Sequence, residues 1–195
     1  MSNTKRDQHT SEDLGQFLKS WFKDPKLIGA VAPSGRALAK LMSTGLRPGA
    51  RVIELGAGTG TVTEALLRTG VRPEDLYLLE RNDAFFDILT RRFPRCPLVP
   101  ADALQLRERF ADALHSFDFV VSGLPLLLFT PEQKSDLIEQ VFDVLSPTGA
   151  YQQFTYGARC PLGRGIRDRL GLKRTLLGFA ALNIPPAFVY RFSRA

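Results

Sequence analysis

Val52-Ile53-Glu54-Leu55-Gly56-Ala57-Gly58-Thr59-Gly60 compresses an apolar strand, a glycine-rich turn and a helix start into nine residues. Glycines at such a turn let the backbone pass close to a ligand, because a Cβ would collide with it, and the helix start that follows favours negative charge. A dinucleotide fingerprint of the GxGxxG/A type wants Gly or Ala at the place held by Thr61, so a nicotinamide dinucleotide is disfavoured. Twenty positions beyond Gly60, at the end of the next apolar strand, stands Glu80. An acid there accepts hydrogen bonds from both ribose hydroxyls, which turns the glycine cluster into a nucleoside site. The alternative for each residue alone is structural: Gly56, Gly58 and Gly60 as a plain turn, Glu80 and Asp102 as solvated acids.

Outward from this turn, short apolar runs alternate with amphipathic stretches, the pattern of βαβ units and a largely parallel sheet. Strands are predicted at Arg51–Leu55, Leu76–Glu80, Pro97–Pro100, Phe117–Ser122, Gly149–Phe154 and Ala187–Phe192. Leu172–Leu182 reads as a further strand returning antiparallel to the last one. Helices are expected at Thr59–Arg68, Ala84–Phe93 and Pro131–Leu145, the last capped by Thr130 with Pro131 at its first position. The predicted fold class is therefore α/β, with a seven-stranded, mostly parallel sheet and one antiparallel C-terminal strand. Residues 1–48 read as an N-terminal helical extension, and 49–195 as the ligand-binding domain.

The extension has its own character. Leu14, Phe17, Leu18, Trp21 and Phe22 recur at helical spacing with Lys19, Lys23 and Lys26 along the border. Such a stripe suits either a membrane interface or packing on its own domain. Asp24-Pro25 ends that helix, and a second one is expected from Ser34, its N-cap, to about Leu41.

With 195 residues, 44% of them hydrophobic, the chain can bury a core without staples. Cys96 and Cys160 have no CxxC spacing, so neither a zinc site nor a disulfide framework is expected. The polar N-terminus lacks the apolar core of a secretory signal, and no apolar stretch approaches the roughly 20 residues of a spanning helix. A cytoplasmic location follows as an expectation. The net charge of +6 favours anionic partners. Between Arg159 and Arg174, with Arg164, Arg167, Arg169 and Lys173, only Asp168 opposes the positive charge. This patch fits lipid phosphates, RNA phosphates or a solvated face.

Glu54 to Gly60, the acid of Leu76-Tyr77-Leu78-Leu79-Glu80 and the segment Ala101-Asp102-Ala103-Leu104 resemble the first three motifs of class I methyltransferases that use S-adenosylmethionine. The resemblance implies a Rossmann-like fold and S-adenosylmethionine as cofactor, with S-adenosylhomocysteine as product. It assigns Glu54 to the methionyl amine, Leu55, Gly56, Ala57, Gly58, Gly60 and Arg81 to the cofactor's bed, and Glu80 to the ribose. Asp102 would face the adenine amino group, with Ala103 beside the ring and Ser122 at the next motif. Adenine-N6 methyltransferases carry Asn or Asp at that position and an aromatic after the following proline. Ser122-Gly123-Leu124-Pro125-Leu126 has serine and leucine there, which counts against a base as substrate.

Across most of its length the sequence is similar to bacterial phospholipid N-methyltransferases, through Ala32-Pro33-Ser34-Gly35-Arg36-Ala37-Leu38-Ala39, the Ser122–Phe129 segment and Tyr151-Gln152-Gln153-Phe154-Thr155-Tyr156. That resemblance implies phosphatidylethanolamine as acceptor, methylated in one or more steps toward phosphatidylcholine, by an enzyme bound peripherally to anionic phospholipid at the inner face of the cytoplasmic membrane; its oligomeric state is left open, with a monomer as the default. No stable nucleic-acid partner is expected. An RNA adenine or small-molecule methyltransferase is the alternative, and a binding module without activity a third. For the acceptor amine, Tyr151 or Tyr156 and the carbonyls near Ser122 and Leu124 are the candidate orienting groups, unless the tyrosines are ordinary strand residues. Phe17, Trp21, Lys23, Lys26, Arg159 and Arg164 are the candidate membrane and substrate contacts. His9 and His115 stand in no motif, so the amine's proton is expected to leave to water or the lipid phosphate.

Overall fold

The computed structural model describes residues 33–156, 160–181 and 186–195. These fall within one compact unit, Val31–Ala195. The stripe of Phe17 and Trp21, with Lys23 and Lys26, lies outside the described residues, as does Arg159.

Among the described residues, seven strands form one sheet: β1 (Val52–Leu55), β2 (Leu76–Glu80), β3 (Leu98–Pro100), β4 (Phe117–Ser122), β5 (Leu145–Tyr156), β6 (Leu172–Ala180) and β7 (Ala187–Arg194). Their order is β3-β2-β1-β4-β5-β7-β6. β1 to β5 pair in parallel, as the alternating pattern predicts, and β7 runs antiparallel to both β5 and β6. The central strands are apolar almost throughout because helices cover both faces; all four residues of β1 are buried.

The helices are α1 (Pro33–Met42), α2 (Thr61–Leu67), α3 (Asp83–Arg92), α4 (Leu106–Arg109), α5 (Pro131–Val144) and α6 (Arg164–Arg169). α5 starts with a reciprocal cap. The Thr130 hydroxyl accepts from the Gln133 N–H at 3.2 Å, and the Gln133 side chain accepts from the Thr130 N–H at 3.0 Å. α3 is capped by Asn82, which accepts from the Ala84 N–H.

Three boundaries differ from expectation for identifiable reasons. α1 already includes Pro33, so Ser34 is its second residue and not its cap. α2 begins at Thr61, two residues late, because Gly60 holds a left-handed conformation (φ 84°) at the N-cap. β5 begins at Leu145, since Leu145 pairs with Phe117 before a register irregularity absorbs Pro147 and Thr148. Gly149 closes that irregularity, where a Cβ would meet the Phe117 carbonyl at 2.9 Å.

On one face, Ile53, Val120, Tyr151, Tyr190 and Phe192 pack with Leu137, Val141 and Phe142 of α5. This core leaves the C-terminal ends of β1, β2, β3 and β4 together along one edge, where open α/β sheets bind ligands.

Candidate active site

The turn after β1 is built from left-handed backbone. Gly56, Gly58 and Gly60 have φ of 69°, 56° and 84°, values that side chains rarely tolerate. The three are not equivalent in space. A Cβ on Gly56 would strike Leu124 Cδ2 at 2.8 Å, and one on Gly60 would overlap the Phe93 ring, so these two are needed for packing. Around a Cβ on Gly58 nothing lies within 4 Å. That open side is where a ligand can rest on bare backbone.

Two carboxylates flank the turn. Glu80 is buried, and its Oε2 accepts from the Gly58 N–H at 3.0 Å while Oε1 accepts from the N–H groups of Arg81 and Asn82 at 2.9 and 2.8 Å. An ionised carboxylate has about four lone-pair sites, so Oε2 keeps capacity for a hydroxyl donor. Glu54 is sealed more deeply. Its Oε2 accepts from the Thr63 hydroxyl at 2.7 Å, and no cation pairs with it among the described residues. Burial pushes its pKa up from 4.5 to about 8, opposed by hydrogen bonds from Thr63 and aided slightly by the charge of Glu80. A buried carboxylate without a cation, beside a bare glycine backbone and a ribose-competent acid, fits the ammonium and sugar of S-adenosylmethionine.

Across the loops after β2 and β3, Arg81 donates to Asp102 Oδ2 at 2.8 Å, and Asp102 Oδ1 accepts from the Leu104 N–H at 3.0 Å. Ala103 is buried beside them.

The other wall is the segment after β4. The Gly123 N–H donates to the Leu55 carbonyl at 2.8 Å, and a Cβ on Gly123 would stand 2.8 Å from the Gly56 carbonyl oxygen. The two loops are thus in backbone contact. Ser122 is fully buried, its hydroxyl accepting from the Leu124 N–H at 3.3 Å. Tyr151 is also fully buried and donates to Gln153 Oε1 at 2.6 Å. Gln153 Nε2 donates to the carbonyls of Leu124, at 3.0 Å, and Phe154, at 2.7 Å. Burial raises the Tyr151 pKa far above its usual value, against a hydrogen bond from Ser122, so the phenol stays protonated at neutral pH. The series Ser122, Tyr151, Gln153 fixes the Leu124 carbonyl at the edge of the cofactor turn.

The structure therefore brings Glu54 to Gly60, Glu80, Arg81, Asp102, Ala103, Ser122 and Leu124 to one edge of the sheet. Tyr151 lies behind that edge and reaches it through Gln153. Tyr156 ends β5, buried, its ring edge-on to Phe154 with centroids 5.1 Å apart. Arg164 opens α6 at the surface. Leu126, at the place of the aromatic in base-methylating enzymes, is turned into the core at 3% exposure. Gln153 and Thr63 escaped the sequence reading; the signal for Gln153 was a polar residue inside a strand otherwise predicted to be buried.

A fold of this strand order, with a glycine turn and ribose-competent acid at its switch point, defines a class I methyltransferase. A family profile described as a methyltransferase domain matches residues 52–149. The chain belongs to this S-adenosylmethionine-dependent family. Among its relatives, an ornithine lipid N-methyltransferase from Singulisphaera acidiphila is 32% identical over 186 residues, covering 92% of this chain and 95% of that protein. The ribosomal RNA small subunit methyltransferase A of Thermotoga petrophila is 32% identical over 123 residues, 59% of this chain and 44% of that protein. By fold, the chain is similar to the 1,6-didemethyltoxoflavin-N1-methyltransferase of Burkholderia thailandensis, solved with its substrate and S-adenosylhomocysteine. There the TM-score is 0.68 at 15% identity, with 96% of this chain and 90% of that one covered. No helix among the described residues is long and apolar enough to cross a membrane.

Proposed function

We propose that the protein transfers methyl groups to the primary amine of a membrane aminolipid, with phosphatidylethanolamine as acceptor and phosphatidylcholine as the end of the series. The observation that carries this reading is the acceptor wall. It offers a fixed backbone segment, Ser122 to Leu124, pinned where the Leu124 carbonyl accepts from Gln153 Nε2 and the Leu126 N–H, and the leucine at the stacking position is folded into the core, so a flat base would find no ring to lie on. An amine needs only acceptors for its N–H groups and a clear line of approach.

When bound, S-adenosylmethionine supplies an electrophilic methyl on a positively charged sulfur; the chain supplies geometry. Glu54 receives the methionyl ammonium, Glu80 the ribose, and Asp102 with Arg81 and Ala103 the adenine. The backbone carbonyls of the Ser122–Leu124 segment, which Gln153 holds in place, accept from the acceptor amine and so direct its lone pair. Alignment of this kind is worth on the order of 7–11 kcal/mol of barrier. Tyr151 acts as a positioning residue, because a phenol held protonated cannot serve as base. The amine starts as an ammonium with a pKa of about 10, so its proton leaves to water or to the lipid's own phosphate.

A second acceptor, ornithine lipid, is favoured by the near-full-length likeness to the Singulisphaera enzyme, and ornithine also ends in a primary amine. The test is incubation with methyl-labelled S-adenosylmethionine and vesicles of either lipid, followed by separation of mono-, di- and trimethylated products. Label on phosphatidylethanolamine supports the first reading and label on ornithine lipid alone the second. Label on neither, with transfer to RNA, overturns both.

A further inference from the structure

We propose that the exposed face of the edge strand β6, centred on Leu176 and Phe179, is the surface on which the protein rests against an anionic lipid bilayer. The choice of a bilayer as partner rests on the aminolipid reading; the surface itself is drawn from geometry.

Leu176 and Phe179 are the two most exposed large apolar side chains among the described residues, at 53% and 50%. Both belong to the outermost strand of the sheet. The register shows what they lie beside. Leu176 pairs with Tyr190, which pairs with Gln153; Phe179 pairs with Phe188, which pairs with Thr155. The irregularity between Leu176 and Gly178 brings both apolar residues to the same face, where the rings of Phe179 and Phe188 sit 4.6 Å apart. Two strand spacings separate Leu176 from Gln153, roughly 10 Å. The apolar shelf is therefore level with the side chain that fixes the Leu124 carbonyl, on the same face of the sheet.

Its border is positive. Arg174 on β6, on the shelf's own face, and Arg164 at the start of α6 are exposed and form no ion pair among the described residues; Lys173, exposed and equally unpaired, projects from the opposite face of the same edge strand. Arg174 lies 5.8 Å from the Tyr190 ring centroid, on the shelf's own face. Arg169 is held by Glu139, and Arg167 donates to the Leu162 carbonyl. Between residues 160 and 181 the single acid is Asp168. Apolar side chains on an edge strand that also carries unpaired cations match an interface of acyl chains beneath anionic headgroups. A second copy of the chain is a poorer match. Two such faces would set like charge against like, and two apolar side chains fall far short of the roughly 800 Å² per partner that a stable interface buries.

The test measures binding of the full chain to vesicles that contain no amine lipid, either phosphatidylcholine alone or phosphatidylcholine with phosphatidylglycerol. Its outcome is therefore independent of methyl transfer and of the acceptor's identity. Wild type should cosediment at least about tenfold more strongly with the anionic vesicles, an excess that falls as salt rises. The double variant L176S/F179S should lose at least about tenfold of that binding, and K173E/R174E should lose the preference for anionic lipid. Unchanged melting temperature and unchanged calorimetric affinity for S-adenosylhomocysteine establish that the variants are folded. Should L176S/F179S be unstable, F179W in a W21F background replaces it, with a blue shift of emission on adding anionic vesicles as the expected result. Wild-type vesicle binding by L176S/F179S, or F179W emission indifferent to vesicles, overturns the proposal. So does concentration-dependent self-association that the double variant abolishes while vesicle binding persists. F179W emission already blue without lipid, and red-shifted on removing residues 1–32, overturns it in favour of cover by the chain's own N-terminus.

Discussion

Replacing Glu54 by glutamine should make the free protein more stable in alkaline solution while weakening its hold on S-adenosylmethionine. The Gln amide oxygen can still accept from Thr63, so the substitution removes charge and little else. Glu54 is fully buried with its pKa raised from 4.5 to about 8. A raised carboxyl pKa means that the folded state binds the proton more tightly than the unfolded one. The stabilisation is complete below pH 4.5 and is lost as pH climbs through 8. At about 1.4 kcal/mol per unit, the span amounts to a ceiling of about 5 kcal/mol, and relaxation around the buried charge leaves a few. Urea unfolding of both proteins at pH 5, 6, 7 and 8 measures it: the stability of E54Q relative to wild type should rise steadily across the series. A carboxyl half-titrated near 8 is about nine-tenths protonated at pH 7. If the methionyl ammonium then draws it into the ionised form, binding should release close to one proton, read by calorimetry in buffers of different ionisation enthalpy. A stability difference that stays flat from pH 5 to 8 would refute the reasoning, because it would mean that the carboxylate is already matched in the free protein.

Gly58→Ala should cost about 1–2 kcal/mol for its left-handed backbone and, by filling the one open side of the turn, weaken S-adenosylhomocysteine binding at least about tenfold by calorimetry. Gly60→Ala meets the Phe93 ring and should lower the melting temperature by more than Gly58→Ala does. Gln153→Leu should lower kcat on vesicles at least about tenfold with cofactor affinity unchanged, since it frees the Leu124 carbonyl and strands the Tyr151 hydroxyl. An equal loss of cofactor affinity in that variant would assign Gln153 to the turn instead.

What the sequence made legible is what local pattern encodes. The glycine turn, Glu80 and Asp102 each end a short apolar run, and in a parallel sheet every such end arrives at the same edge, so their meeting needs no knowledge of pairing. The start of α2 was hidden because Gly60 is as compatible with a helix as with the left-handed cap it adopts. The irregularity that lengthens β5 was hidden because Ser146-Pro147-Thr148-Gly149 carries the composition of a turn, and only its pairing with Phe117 makes it part of a strand.

Tyr151 shows the deeper limit. The alternation of β5 puts Tyr151, Gln153 and Thr155 on one face and Gln152, Phe154 and Tyr156 on the other, but not which face borders the acceptor. That is decided by α5, whose Leu137, Val141 and Phe142 pack with Tyr151 and leave its hydroxyl no partner but the polar atoms beside it. A hydroxyl so enclosed cannot touch a bound acceptor, yet through Gln153 it holds the segment whose carbonyls are proposed to orient one. The same register carries the face outward across Tyr190 to Leu176, so one strand alignment links the residue proposed to orient the acceptor to the surface proposed to meet the membrane.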